Sequence, residues 1–76
     1  MEDLITLVAQ AIVESPDDVS VSSETNGDAQ RYNLTVAQDD VGKVIGRRGR
    51  TVRAMRTLVK AAAARTGQKV EFEVVD

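Results

Sequence analysis

Two glycines three residues apart, Gly46 and Gly49, interrupt a stretch that is otherwise helical in pattern, and no other feature of this chain constrains its folding as much. The stretch runs Val41-Gly42-Lys43-Val44-Ile45-Gly46-Arg47-Arg48-Gly49-Arg50-Thr51-Val52-Arg53. An aliphatic pair precedes the first glycine and an amphipathic run follows the second, which predicts a short helix turning tightly into a longer one. Glycine has no Cβ, so both corners can turn sharply and let a sugar-phosphate chain lie close to the backbone. A helix that starts at about Arg50 aims its unpaired N–H groups and positive dipole end at the same place. Arg47 and Arg48 add formal charge, and the result has the shape of a phosphate clamp. A bare G-x-x-G is more often a plain linker between helices with solvated side chains, so the surrounding charge has to decide between the two.

The net charge of −2 argues against a polyanion partner when taken as a total. Its distribution argues the other way. Residues 41 to 70 hold Lys43, Arg47, Arg48, Arg50, Arg53, Arg56, Lys60, Arg65 and Lys69 with no acid, a local charge of +9. The rest of the chain sets Arg31 against all twelve acids, a charge of −11. An acidic body carrying one basic region attracts a polyanion locally without binding it over the whole surface.

Seventy-six residues are enough for one domain with a modest core, and the whole chain, 1–76, is expected to form it, as a marginal monomer or a dimer. There is no cysteine and no histidine, which removes disulfides, thiolate nucleophiles, zinc sites and imidazole acid-base chemistry. No cofactor or metal is expected. With no signal-like segment and no long apolar run, the expectation is a cytoplasmic protein that does not insert into membranes.

Residues 2 to 14 place Leu4, Ile5, Val8, Ala11 and Ile12 on one side of a helix, with acids in its first turn, and Ser15-Pro16 ends it. Val19 to Ser23 and Tyr32 to Val36 alternate apolar and polar residues as half-buried strands. Asn26-Gly27 between them predicts an antiparallel hairpin, with a mobile tip carrying Glu24 and Asp28. Asp39-Asp40 reads as an N-cap for the short helix, since two adjacent carboxylates with no third ligand give little basis for metal or acid-base chemistry.

From Arg50 to about Arg65, the spacing puts Val52, Met55, Leu58, Val59 and Ala62 on one stripe and Arg50, Arg53, Arg56 and Lys60 on another. Thr66-Gly67 ends this helix. The last strand, Lys69 to Val75, turns Val70, Phe72 and Val74 inward and Glu71 and Glu73 outward. Between the second and third strands, the helix pair is long enough for a parallel crossover. The expected fold is therefore α+β, in the order αββααβ, with a three-stranded mixed sheet and three helices packed on one face.

Val44-Ile45-Gly46-Arg47-Arg48-Gly49-Arg50-Thr51-Val52 resembles the V-I-G-x-x-G-x-x-[IV] core of the KH domain. The element order is similar to the type II arrangement, with the extra helix and strand ahead of the core, so the resemblance covers the whole chain. It is greatest to the small single-domain bacterial KH proteins of the KhpA family. That resemblance implies binding of single-stranded RNA in a narrow groove, the loop clamping about four nucleotides. It implies that Gly46 and Gly49 shape the loop, that Arg47 and Arg48 meet phosphates, and that Val44, Ile45 and Val52 stand at the aliphatic positions around the groove. Charge and helical spacing add Lys43, Arg50 and Arg53. The resemblance further implies an RNA chaperone or post-transcriptional regulator that acts as a homodimer or with a larger KH-containing RNA-binding protein and influences cell elongation and envelope growth.

Tyr32 and Phe72 are the only aromatics, and both fall on inward strand positions, so base stacking on aromatic rings is not expected. Weak, salt-sensitive and loosely selective binding follows. The main rival is a dimerisation or docking module whose basic region meets an acidic protein surface; single-stranded DNA is a second. An enzyme is the least favoured class. Arg50-Thr51 follows Gly49 where a Walker loop needs Lys then Ser or Thr, and no nucleophile and base pair can be nominated.

Overall fold

In the computed structural model, which describes residues 1–75, the chain opens with helix α1, Glu2–Ile12, whose first turn carries Glu2 and Asp3 at the positive end of the helix dipole. Ile5 and Ala9 are its buried residues. Leu4, Val8 and Ile12 are half-buried around them, while Ala11 is exposed. The apolar stripe thus centres on Ala9, a position that spacing alone did not single out. The helix stops at Ile12, two residues early, where Val13 takes extended backbone, and a short 3₁₀ turn at Pro16–Asp18 leads into the sheet.

Strands β1, Ser20–Asn26, and β2, Ala29–Thr35, pair antiparallel with Asn26 opposite Ala29. The hairpin therefore turns on Gly27-Asp28, one residue later than the Asn26-Gly27 signal suggests, and both strands reach further toward the tip than their alternation did. Side chains hold that tip. Lys69 reaches Asp28 at 3.0 Å, Asn26 donates to Glu71 at 3.1 Å, and Glu24 is a strand residue opposite Arg31 rather than part of a free loop.

After a 3₁₀ turn at Gln38–Asp40 come α2, Val41–Ile45, and α3, Arg50–Ala64, and the described residues end on β3, Lys69–Val75. β3 runs parallel to β2, placing Phe72 beside Tyr32, so the sheet order is β1-β2-β3 with a mixed pattern. The three helices lie on one face. Their buried side chains, Ile5, Ala9, Val44, Met55 and Val59, meet Tyr32, Leu34 and Phe72 from the sheet in one core. Both aromatics are enclosed there, as their strand phase predicts. On α3, Ala63 is buried and Leu58 is 44% exposed, so the buried stripe runs Met55, Val59, Ala63 and Leu58 sits at its margin.

Asp40 departs most from expectation. It occupies the N-cap position of α2 but makes no capping hydrogen bond there. Its carboxylate is buried, at 2% exposure, and accepts the backbone N–H groups of Glu14 and Ser15 at 3.1 and 3.0 Å. The chain leaving α1 is thereby tied to the start of α2. A side chain that can satisfy two part-buried amides at once gains more than one that caps a five-residue helix in solvent.

Candidate nucleic-acid interface

The loop between α2 and α3 is built from backbone that few residues can adopt. Gly46 closes α2, its N–H returning to the Gly42 carbonyl, and then takes φ 78 and ψ 171, a region essentially reserved for glycine. Glycine is required there on a second ground: a Cβ at Gly46 would lie against the Thr51 side chain and 2.8 Å from the Thr51 nitrogen. Residues Arg47–Gly49 form a 3₁₀ turn in which Arg48, with φ 57 and ψ 27, and Gly49, with φ 74 and ψ 16, are both left-handed. Arg48 is the one non-glycine residue with positive φ among those described. No sequence signal marks it, because arginine has no preference for that region.

The turn consumes two of its own amides. The Gly49 N–H donates to the Gly46 carbonyl and the Arg50 N–H to the Arg47 carbonyl. Among the described residues, the N–H groups of Arg47 and Arg48 meet no backbone carbonyl. Two free donors thus lie within the loop itself, ahead of the first turn of α3. Arg47 and Arg48 are both exposed.

The remaining sequence-predicted residues divide. Arg50 is exposed on the first turn of α3. Arg53 folds back toward the loop, its Nε donating to the Gly49 carbonyl at 3.3 Å and its Nη2 to the Arg48 carbonyl at 2.7 Å. Ile45 is half-buried beside Gly46, and Val52 is half-buried and packs against the core. Val44 is fully buried, so it seats α2 in the core and offers no surface to a ligand. Lys43 is turned toward the segment that follows α1, with its Nζ 2.7 Å from Glu14 and 4.0 Å from Asp40. The structure brings together Gly46, Arg47, Arg48, Gly49, Arg50 and Arg53, with Ile45 and Val52 at their side.

Arg56 was not among the predicted site residues. Its Nη2 donates to the Phe72 carbonyl at 3.5 Å, bridging α3 to the free edge of β3, and with Lys60 it lines a shallow groove over Val70, Phe72 and Glu73. Its place on the stripe of Arg53 and Lys60 was the available signal.

Pairing sharpens the charge asymmetry. Arg31 lies between Glu24 and Glu71, on the sheet face away from the helices, and Lys69 is held by Asp28. Arg47, Arg48, Arg50, Arg53, Arg56, Lys60 and Arg65 form no ion pair among the described residues. The loop and the helix following it therefore keep an uncompensated positive field, strongest where the free N–H groups add to it.

A family model described as KhpA/KhpB, KH domain, matches residues 2–74. The chain is 42% identical over 76 residues to the RNA-binding protein KhpA of Halalkalibacterium halodurans, covering 100% of both chains. It is 42% identical to the RNA-binding protein KhpA of Bacillus subtilis, over 100% of this chain and 94% of that one. To the RNA-binding protein KhpA of Borreliella burgdorferi it is 40% identical, over 97% of this chain and 90% of that one.

Proposed function

The chain belongs to the KhpA/KhpB KH-domain family, and from that premise we propose that residues 1–76 form one type II KH domain that binds single-stranded RNA through the Gly46–Gly49 loop. The observation that carries the proposal is a backbone shaped by two positive-φ glycines, with Arg47 and Arg48 N–H groups free and two exposed arginines that no acid neutralises among the described residues. In this reading, Arg47, Arg48 and Arg50 meet phosphates, while Ile45 and Val52 give the sugars and bases an aliphatic floor. With Tyr32 and Phe72 enclosed in the core, no aromatic platform adds to the affinity.

One such domain binds weakly, so the protein acts as a homodimer or with a larger KH-containing RNA-binding protein, which multiplies affinity through effective concentration. Leu7 and Leu58, at 67% and 44% exposure, are apolar side chains on α1 and α3 that favour such a contact. The cellular role that fits is a cytoplasmic RNA chaperone or post-transcriptional regulator with effects on cell elongation and envelope growth. No catalysis is assigned to it.

The test is fluorescence anisotropy with short labelled single-stranded RNA across a salt series, comparing wild type with the Arg47→Asp, Arg48→Asp double variant. Aspartate tolerates the left-handed conformation at position 48, so the variant is expected to keep its circular dichroism spectrum. Salt-dependent binding by wild type and none by the folded variant supports the clamp. Equal binding by both sinks it and leaves the docking role as the better account.

A further inference from the structure

Arg53 differs from every other cation on α3 in what it touches. Side chains on a helix lean back toward its N-terminus, so position 53 overlies the turn that precedes α3. There the guanidinium forks across two consecutive carbonyls, with Nη2 2.7 Å from the Arg48 oxygen and Nε 3.3 Å from the Gly49 oxygen. The shorter contact is in the range of a charge-assisted hydrogen bond. The two carbonyls belong to the left-handed residues of the loop, one of them an L-residue that pays for its conformation. Among the described residues, Arg47, Arg50, Arg56, Lys60 and Arg65 make no such side-chain bond to the loop.

Resting on the RNA-binding reading above, we propose that Arg53 is a positioning residue, a latch that holds the Arg48–Gly49 backbone left-handed so that Arg47 and Arg48 face the RNA, and that it does not itself contact a phosphate. Two of its five donors are already committed to the protein. Its charge sits on the carbonyl side of the turn, where it offsets the negative ends of two peptide dipoles. A planar fork is needed to bridge both oxygens, and lysine, a point charge, reaches one at most.

The latch and a direct phosphate contact differ in three measurements on Arg53→Lys and Arg53→Gln. Backbone amide order parameters at Arg47, Arg48 and Gly49, read by ¹⁵N relaxation in the free protein, are expected to fall in both variants, with sheet amides unchanged. Affinity for a short single-stranded RNA should drop about tenfold in both, the size of a lost charge-assisted bond. The salt slope should stay at its wild-type value in Arg53→Gln. A phosphate contact predicts the opposite pattern: Lys restores binding, and Gln lowers the magnitude of the slope by ~0.7.

Unchanged loop order in both variants overturns the latch whatever the RNA binding does. If wild type binds no RNA while loop order falls in the variants, the latch on the loop stands and the RNA reading fails. A general loss of fold would show in the sheet amides as well as the loop, and would overturn a role confined to the loop.

Discussion

Gly46 and Gly49 look equivalent in the sequence, yet alanine should cost very different amounts at the two. A Cβ at Gly46 meets the Thr51 backbone nitrogen at 2.8 Å and its Cβ at 2.6 Å, so α3 would have to move bodily, and ψ 171 at that φ excludes a side chain in any case. At Gly49, the nearest atoms are 3.9 Å away, leaving only the left-handed backbone to be paid for. Gly49→Ala should therefore cost about 1–2 kcal/mol and Gly46→Ala roughly 3 kcal/mol or more, compared by urea denaturation. Similar midpoints for the two would mean that Thr51 does not pack against Gly46 in solution. The difference is invisible to the G-x-x-G pattern, which records where glycine stands and not which of its two properties, freedom or smallness, is in use. Arg48 is the complementary case: its left-handed backbone is imposed by neighbours, Gly49 and the Arg53 fork, and nothing about arginine announces it.

At the scale of elements, each helix and strand was legible because burial on one side forces a period, and the errors fall where a long-range contact overrules the local pattern. Ala11 fits the stripe of α1 by spacing, but Ala9 is the residue that faces the core. Asp40 reads as a cap because Asp before an apolar run is a local signal, whereas its partners, Glu14 and Ser15, lie 26 and 25 residues away. The hairpin turns one residue later than its own sequence signals, and Lys69 and Glu71 on β3 contact its tip, a contact absent from the hairpin's own sequence. The Asp40 contact can be tested directly. Asp40→Ala leaves two part-buried N–H groups without an acceptor and should cost about 2–4 kcal/mol, whereas Asp39→Ala, on an exposed side chain with no such partners, should change stability by less than about 0.5 kcal/mol. Thermal unfolding of the two side by side checks it. Equal losses would return Asp40 to the ordinary role of a helix cap.

At the scale of the whole molecule, the net charge of −2 conceals what a nucleic acid would meet. Arg31, Lys43 and Lys69 are matched by acids, and the seven cations unmatched among the described residues lie on the loop, along α3 and, with Arg65, just past its end. The sequence shows where the cations cluster but not which are spent on the protein, since pairing of Lys43 with Glu14 and of Arg53 with backbone carbonyls needs the fold to bring them together. These cases set a quantitative expectation. A loop that clamps about four nucleotides, at ~0.7 counterions per phosphate, gives a slope of log K against log salt of roughly −3. If all seven cations met phosphates, the slope would approach about −5 on the same basis. Titrating labelled single-stranded RNAs of increasing length, from about four nucleotides to one long enough to follow the whole of α3, distinguishes these cases. A slope near −3 that does not steepen as the RNA is lengthened confines the contact to the loop and its first helical turn, as expected if Arg53 serves the backbone and Arg56 the edge of β3. A slope that steepens with length would instead carry the RNA past Arg56 and Lys60 along the groove beside β3, and the clamp would be only the first part of a longer track.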